Sequence, residues 1–307
     1  MSYKFITDNN IWDEKEIPKL RNAGIVKACS GRLAFYFTPV LLKEGFDFLR
    51  KGPIPDRAVE AIKLLTELRW QKCFNDLNGP EGIFTFELEG KPSSEYLFLP
   101  SEETRNIIEN SRLILKGGEL TPDGKKQYQD YHENWAKRKI KNKEAYALMR
   151  DDVTKVAKAK NMTRKGSKFS DFLKDNLEET AIEKIQKSIN SNHPRKELIK
   201  YWKENKEKCY YFNKFIEGCL FTAWYYMAVE KQPAIDINAY EDIEHLIYLI
   251  GCDGIVSNEK GFMKAAAAEL FPEKDFLSID EFVLRLTAAS EFQDYSSEKL
   301  ILTHEKL

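Results

Sequence analysis

The sequence predicts an α/β protein built on a parallel sheet of the doubly wound kind with helices on its faces. Two observations predict it. The runs at 4–7, 32–37 and 254–257 are short, apolar and rich enough in β-branched or aromatic residues to be interior strands, and the segments that follow them carry apolar residues at helical spacing. The stretch 242–262, DIEHLIYLIGCDGIVSNEKGF, holds the whole pattern in miniature: an Asp-headed helix, a glycine stop, a buried strand and an acidic turn.

Residues 4–7 form the candidate central strand. An amphipathic helix should follow through about Leu20, with Ile11, Trp12, Ile17 and Leu20 toward the sheet, so that Asp8 falls at a strand end. Residues 32–37 read as a second strand. Pro39 suits the first turn of a helix over 40–49, which carries Glu44. Pro53, Pro55 and Asp56 punctuate the chain before an amphipathic helix over about 58–73, with Ala61, Leu64, Leu65 and Leu68 on one face.

From residue 75 the pattern changes. Residues 82–100, GIFTFELEGKPSSEYLFLP, place two apolar segments around a Gly-Lys-Pro-Ser-Ser turn, which predicts a β-hairpin. Residues 101–208 read as mostly helical, with Thr121-Pro122-Asp123 opening a long polar helix and breaks at Gly166-Ser167 and around Pro194. No fixed period recurs. The organisation predicted is a discontinuous α/β core over 1–75 and 209–290, an inserted, mainly helical subdomain over 76–208 that carries the hairpin, and a C-terminal tail over 291–307.

The core resumes with a very apolar helix from Tyr210 through Met227. Ile243, Leu246, Ile247 and Ile250 then recur at helical spacing behind Asp242. Gly251 stops that helix, 254–257 is the next strand, and Asn258 and Glu259 close it. Residues 262–270 are helical with an alanine run, 275–279 make a last strand, and a helix follows at 281–286.

Composition narrows the class. The 307 residues are 42% hydrophobic and 32% charged with a net charge of −1, which argues against a disordered chain and against a charge that would coat nucleic acid globally. Cys29, Cys73, Cys209, Cys219 and Cys252 are odd in number and widely spaced, which favours reduced, packed thiols in a cytoplasmic protein over a disulfide or zinc framework. The opening residues lack the basic and apolar regions of a signal peptide. The longest apolar segment, 218–229, falls short of the ~20 residues a membrane span needs. Charge is segregated within this balance. Residues 137–168 hold twelve Lys or Arg against three acids, a local +9 that leaves the remainder of the chain at −10. A solvated helix face explains such a window in an ordinary protein. Beside an acidic site it can instead neutralise the phosphates of a polyanion that carboxylates alone would repel.

In a doubly wound sheet the functional edge lies at the carboxyl ends of the strands, which places Glu259 at the site and Asp253, at the other end of the same strand, away from it. The stretch 242–262 resembles the C-terminal half of PIN-domain nucleases, in which an Asp-headed helix leads to a buried strand and an Asn-Asp or Arg-Asp turn followed by Lys and Phe; here the turn reads Ser257-Asn258-Glu259-Lys260-Gly261-Phe262. Residues 4–12, KFITDNNIW, are similar to that family's opening strand ending in Asp, a small polar residue and Asn. Residues 35–44, FYFTPVLLKE, are similar to its second strand and Glu-bearing helix.

The resemblance implies a Rossmann-like, PIN-like sheet in which Asp8, Glu44, Asp242 and Glu259 converge as catalytic acids and metal ligands. Hard oxygen ligands without nearby His or Cys suit Mg²⁺ or Mn²⁺. Asn9, Asn10 and Asn258 would orient ligands or phosphate, and Lys137, Arg138, Lys139, Lys141 and Lys143 would hold the nucleic-acid backbone. The activity implied is that of a metal-dependent endoribonuclease, of the kind used by toxins, in defence or in RNA processing. RNA is the main partner implied, with a protein partner such as an antitoxin or a second copy of the chain beside it. A DNA nuclease of related chemistry and a non-catalytic interaction module are the competing readings.

One departure is visible: Glu259 stands where the family has Asp. Taken singly, each acid also has a structural reading. Asp8 reads equally well as a helix cap, Glu44 as a solvent-facing residue with Asp47 an alternative ligand, and Asp242 as an acid favoured by the helix dipole. His245 reads as a packing or hydrogen-bonding residue rather than a base.

Overall fold

Five short strands pair in the computed structural model, which describes residues 3–29, 33–41, 56–68, 70–77, 81–106, 168–226 and 238–288 together with Glu109, Glu133, Lys137 and Ile140. They are β1 (Tyr3–Thr7), β2 (Leu33–Phe37), β3 (Trp70–Cys73), β4 (Gly254–Val256) and β5 (Asp275–Leu277). All pairings are parallel, and the order across the sheet is β3-β2-β1-β4-β5. The α/β architecture with a parallel sheet is therefore present, and it is compatible with a Rossmann-like fold. The chain lays β2 and β3 to one side of β1 and returns much later to lay β4 and β5 on the other. The strand order reverses between β1 and β4, and in such sheets a crevice opens at the carboxyl ends of the two strands flanking that reversal.

Parallel strands covered on both faces must be apolar on both, and here successive residues divide between two cores. Phe5, Leu33, Phe35, Phe37 and Val256 pack on one face with Ile11, Trp12, Leu20, Ile25 and Phe282. Ile6, Ala34, Tyr36 and Ile255 pack on the other with Phe84, Trp202, Phe212, Phe215 and Leu246. Gly254 admits the close approach of β1 and β5, because a Cβ there would sit 2.7 Å from the Asp275 carbonyl oxygen and 2.7 Å from the Phe5 ring.

The helices are α1 (Ile17–Asn22), α2 (Ile25–Cys29), α3 (Asp56–Glu67), α4 (Ile83–Leu88), α5 (Phe169–Ser188), α6 (Arg195–Glu204), α7 (Tyr210–Trp224), α8 (Ala239–Ile247), α9 (Phe262–Leu270) and α10 (Ile279–Thr287). The very apolar α7 is central on its face: it packs against α4, α5, α8 and α9. A capping box starts α10, with Ser278 accepting from the Glu281 amide and Glu281 returning the bond to the Ser278 amide. No helix among the described residues is long and apolar enough to cross a membrane. All five cysteines are free, and four are buried.

Three elements differ from the sequence reading. The helix expected through Leu20 is a short 3-10 turn (Asn9–Trp12) and then α1, because Pro18 begins a new helix; Ile11, Trp12, Ile17 and Leu20 are buried as anticipated. The helix expected over 58–73 ends at Glu67, and Trp70–Cys73 forms the edge strand β3 against β2. Its Gln71 and Lys72 hide the strand signal, as polar residues on edge strands do.

The hairpin expected over 82–100 is absent. Its first half is α4, and its second half runs antiparallel to the end of β3, with the Asn75 amide donating to Leu97 O at 3.0 Å and the Leu99 amide to Cys73 O at 2.8 Å. A short apolar run does not distinguish strand from buried helix, so tertiary partners decide. Here the partner is Glu87, buried on α4, whose carboxylate accepts from the amides of Tyr211 and Phe212 at 3.0 and 2.8 Å and so caps α7. Glu44, Asp47, the expected helix opening at residues 121–123, the tail 291–307 and most of the basic window, including Arg138, Lys139, Lys141 and Lys143, lie outside the described residues.

Candidate active site

The carboxyl ends of β1 and β4 lie side by side, and their first residues beyond the strands are Asp8 and Ser257. The Asp8 amide still donates to Val256 O at 3.0 Å, so the strand pairing delivers Asp8 to the seam. Its carboxylate is gripped on both oxygens. Oδ1 accepts from the Asn9 amide at 2.6 Å, while Oδ2 accepts from Asn10 Nδ2 at 2.5 Å and from the Ser257 hydroxyl at 2.6 Å. The cap role foreseen for Asp8 is thus realised by one oxygen, and the other is bound across the sheet to β4.

Asn10 and the turn after β4 form one network. Asn10 Nδ2 reaches Ser257 Oγ at 3.2 Å, and Asn10 Oδ1 accepts from the Asn258 amide at 2.9 Å. Asn258 Oδ1 accepts from the Ile279 amide at 3.0 Å, which ties the turn to the start of α10. Ser257 Oγ also accepts from the Glu259 amide at 3.1 Å. The side-chain oxygens of Asn10 and Asn258 are therefore engaged within the protein, where they set the geometry of the edge. Glu259 is exposed, and its Oε1 accepts from the Gly261 amide at 2.9 Å, closing a local turn. Asp253 lies at the opposite end of β4, where its carboxylate accepts from the Lys4 amide at 2.8 Å.

Asp242 occupies the first turn of α8, half-buried, one turn before His245. His245 is buried and reaches the same sheet edge: its Nε2 lies 3.3 Å from Thr38 Oγ1 at the end of β2. Burial lowers the imidazole pKa below its usual value, against the opposing pull of the Asp8 carboxylate and a hydrogen bond with the Thr7 backbone. Four of the expected site residues, Asp8, Asn10, Asn258 and Glu259, thus meet at the β1–β4 edge, with Asn9 beginning the turn that Asp8 caps. Lys137 is exposed and faces Glu133 at 4.0 Å.

Three residues of this edge have no site role in the sequence reading. Ser257 counts there only as part of its strand and of the turn 257–262, Thr38 only as part of the run 35–44, and His245 as a packing or hydrogen-bonding residue, the second of which its contact with Thr38 fulfils. A hydroxyl directly after each of two strands is the available signal, since buried hydroxyls at strand ends bond their neighbours.

No family model matches the chain, and no significant similarity to it is found among curated proteins or solved structures.

Donor chemistry at the edge is that of hard oxygen ligands. Among the described residues no group of three or more His, Cys, Asp or Glu could hold a metal ion. Asp8 nevertheless fits a water-rich divalent cation, because an ionised carboxylate has about four lone-pair sites and three are occupied here. Mg²⁺ is commonly held by one or two carboxylates, with waters and substrate phosphate supplying the remainder.

Proposed function

We propose that the chain is a PIN-like, Mg²⁺- or Mn²⁺-dependent endoribonuclease whose site lies at the carboxyl edge of β1 and β4. The observation that carries this reading is the placement of Asp8 at the reversal of strand order, its carboxylate held by Asn10 and Ser257 from two different strand ends. Asp8 is the anchoring ligand; Asp242, Glu44 and Glu259 complete the acidic set. A bound divalent ion would supply an activated water and neutralise charge on the attacked phosphate. The protein's own part is to hold Asp8 in one orientation, which Asn10 and Ser257 do, and to bring the phosphodiester backbone to the edge, which falls to the basic window 137–168. RNA is the substrate proposed; an antitoxin-like protein or a second copy of the chain is the further partner.

A second reading, a non-catalytic interaction module, is favoured by Glu259, whose carboxylate accepts from its own turn at Gly261. One experiment separates the readings: cleavage of single-stranded RNA and DNA by the wild-type chain and Asp8→Asn with Mn²⁺ and with chelator. The nuclease reading expects RNA cleavage that needs Mn²⁺ and is abolished in Asp8→Asn without loss of fold. Preferential DNA cleavage would move the chain to the DNA nucleases. Mn²⁺ binding without turnover on either polymer would favour the interaction module.

A further inference from the structure

The imidazole of His245 sits where three elements meet. It projects from α8, and its Nε2 is 3.3 Å from Oγ1 of Thr38, the first residue after β2, the strand that pairs in parallel with β1, whose own next residue is Asp8. Thr38 Oγ1 in turn accepts from the Leu41 amide at 3.1 Å, the arrangement that satisfies an orphan N–H in the first turn of a helix. Both Thr38 and His245 are buried, so neither has water as an alternative partner. The first turn after β2 and α8 are therefore joined through a single side chain, beside the end of β1 that pairs with β2.

We propose that His245 is a positioning residue for the β1–β4 edge: through Thr38 it fixes the first turn after β2 relative to the end of β1 that carries Asp8. This inference rests on the nuclease reading only in taking that edge as the reacting one. The sequence after Thr38 leads to Glu44, and Asp242 stands one turn before His245. With respect to the described acids, the imidazole thus stands on the same helix as Asp242 and against the strand next to the one that leads to Asp8. A buried polar junction bonded to the end of β2 sets where that end stands beside its paired neighbour β1, and a shift of about 1 Å in such a constellation costs on the order of 10²-fold in rate.

The test compares His245→Leu, His245→Gln, Thr38→Val and the double variant His245→Leu/Thr38→Val. Three quantities are measured: amide hydrogen exchange at Leu41, Mn²⁺ affinity by calorimetry, and kcat and KM on single-stranded RNA. The leucine and valine variants should each speed exchange at Leu41 by about tenfold and lower kcat by roughly 10- to 100-fold, with KM changed by less than about twofold. The double variant should be no worse than either single one, because both break the same link. His245→Gln, whose amide can still reach Thr38, should recover kcat to within about threefold of wild type. A fall in melting temperature with unchanged kcat and unchanged Leu41 exchange would reduce His245 to a packing residue and overturn the inference, as would multiplicative losses in the double variant. If the wild-type chain neither cleaves RNA nor binds Mn²⁺, the nuclease reading fails, and Leu41 exchange decides the positioning role alone: no change in His245→Leu refutes it.

Discussion

The Ser257 hydroxyl donates to Asp8 Oδ2 at 2.6 Å, joining the residue after β4 to the residue after β1 although 249 positions separate them in the chain. This bond holds one oxygen of the proposed anchoring ligand, while the backbone of the following turn holds the other. Orientation of Asp8 therefore depends on the neighbouring strand β4 as well as on the turn that follows its own strand.

Ser257→Ala tests that dependence. Removing the hydroxyl leaves Asp8 Oδ2 with Asn10 alone and the Glu259 amide without its acceptor. Loss of about 1–3 kcal/mol of stability is expected by denaturant unfolding, since a half-buried carboxylate loses a hydrogen bond. RNA cleavage should fall roughly 10- to 100-fold, less than for Asp8→Asn, because Asp8 remains but is less well fixed.

Asp253→Asn is the control at the wrong end of the strand. Its carboxylate bonds the Lys4 amide at the start of β1, remote from the carboxyl edge. Cleavage and Mn²⁺ affinity should match wild type within about twofold. A loss of metal binding in this variant would place the site at the amino edge of the sheet.

Glu87 makes stability depend on pH. Burial raises its carboxyl from an ordinary value of 4.5 to about 7, against the lowering effect of hydrogen bonds from the amides of Tyr211, Phe212 and Tyr210. With the folded value above the unfolded one, the folded state binds more protons between pH 4.5 and 7. This contribution is thus fully present below about pH 4.5 and declines as pH rises to about 7, by on the order of 3 kcal/mol. His245 has the opposite sign: its lowered pKa costs stability as pH falls below its usual range. The difference in unfolding free energy between wild type and Glu87→Gln, measured from about pH 4 to about pH 8, isolates the carboxyl, and wild type should lose stability relative to the variant as pH rises through this window.

The basic window is tested by replacing Lys137, Arg138, Lys139, Lys141 and Lys143 together with Gln. Affinity for single-stranded RNA should drop, and the slope of log affinity against log salt should flatten by about 0.7 for each phosphate that the variant no longer neutralises. Mn²⁺ affinity should be unchanged. Equal RNA affinity and equal salt slope would assign the window to a solvated face.

What the sequence determined by itself is local and apolar. Strands β1, β2 and β4 were legible because residues such as Phe5, Ile6, Phe35 and Ile255 must bury both of their faces, which leaves runs no helix periodicity explains. Asp8 was legible because it ends such a run. Tertiary structure decided the remainder wherever an element's partner lay far along the chain. Residues 83–88 form a helix that packs against α7, more than a hundred residues later, and Glu87 on it accepts from the amides at the start of α7. Residues 70–73 are a strand because β2 offers them an open edge. The grip on Asp8 by Ser257 and the placement of His245 against Thr38 had no local signature either. Hydrogen bonds between strand ends depend on which strands become neighbours, and that follows from packing the whole sheet, not from the composition of any one segment.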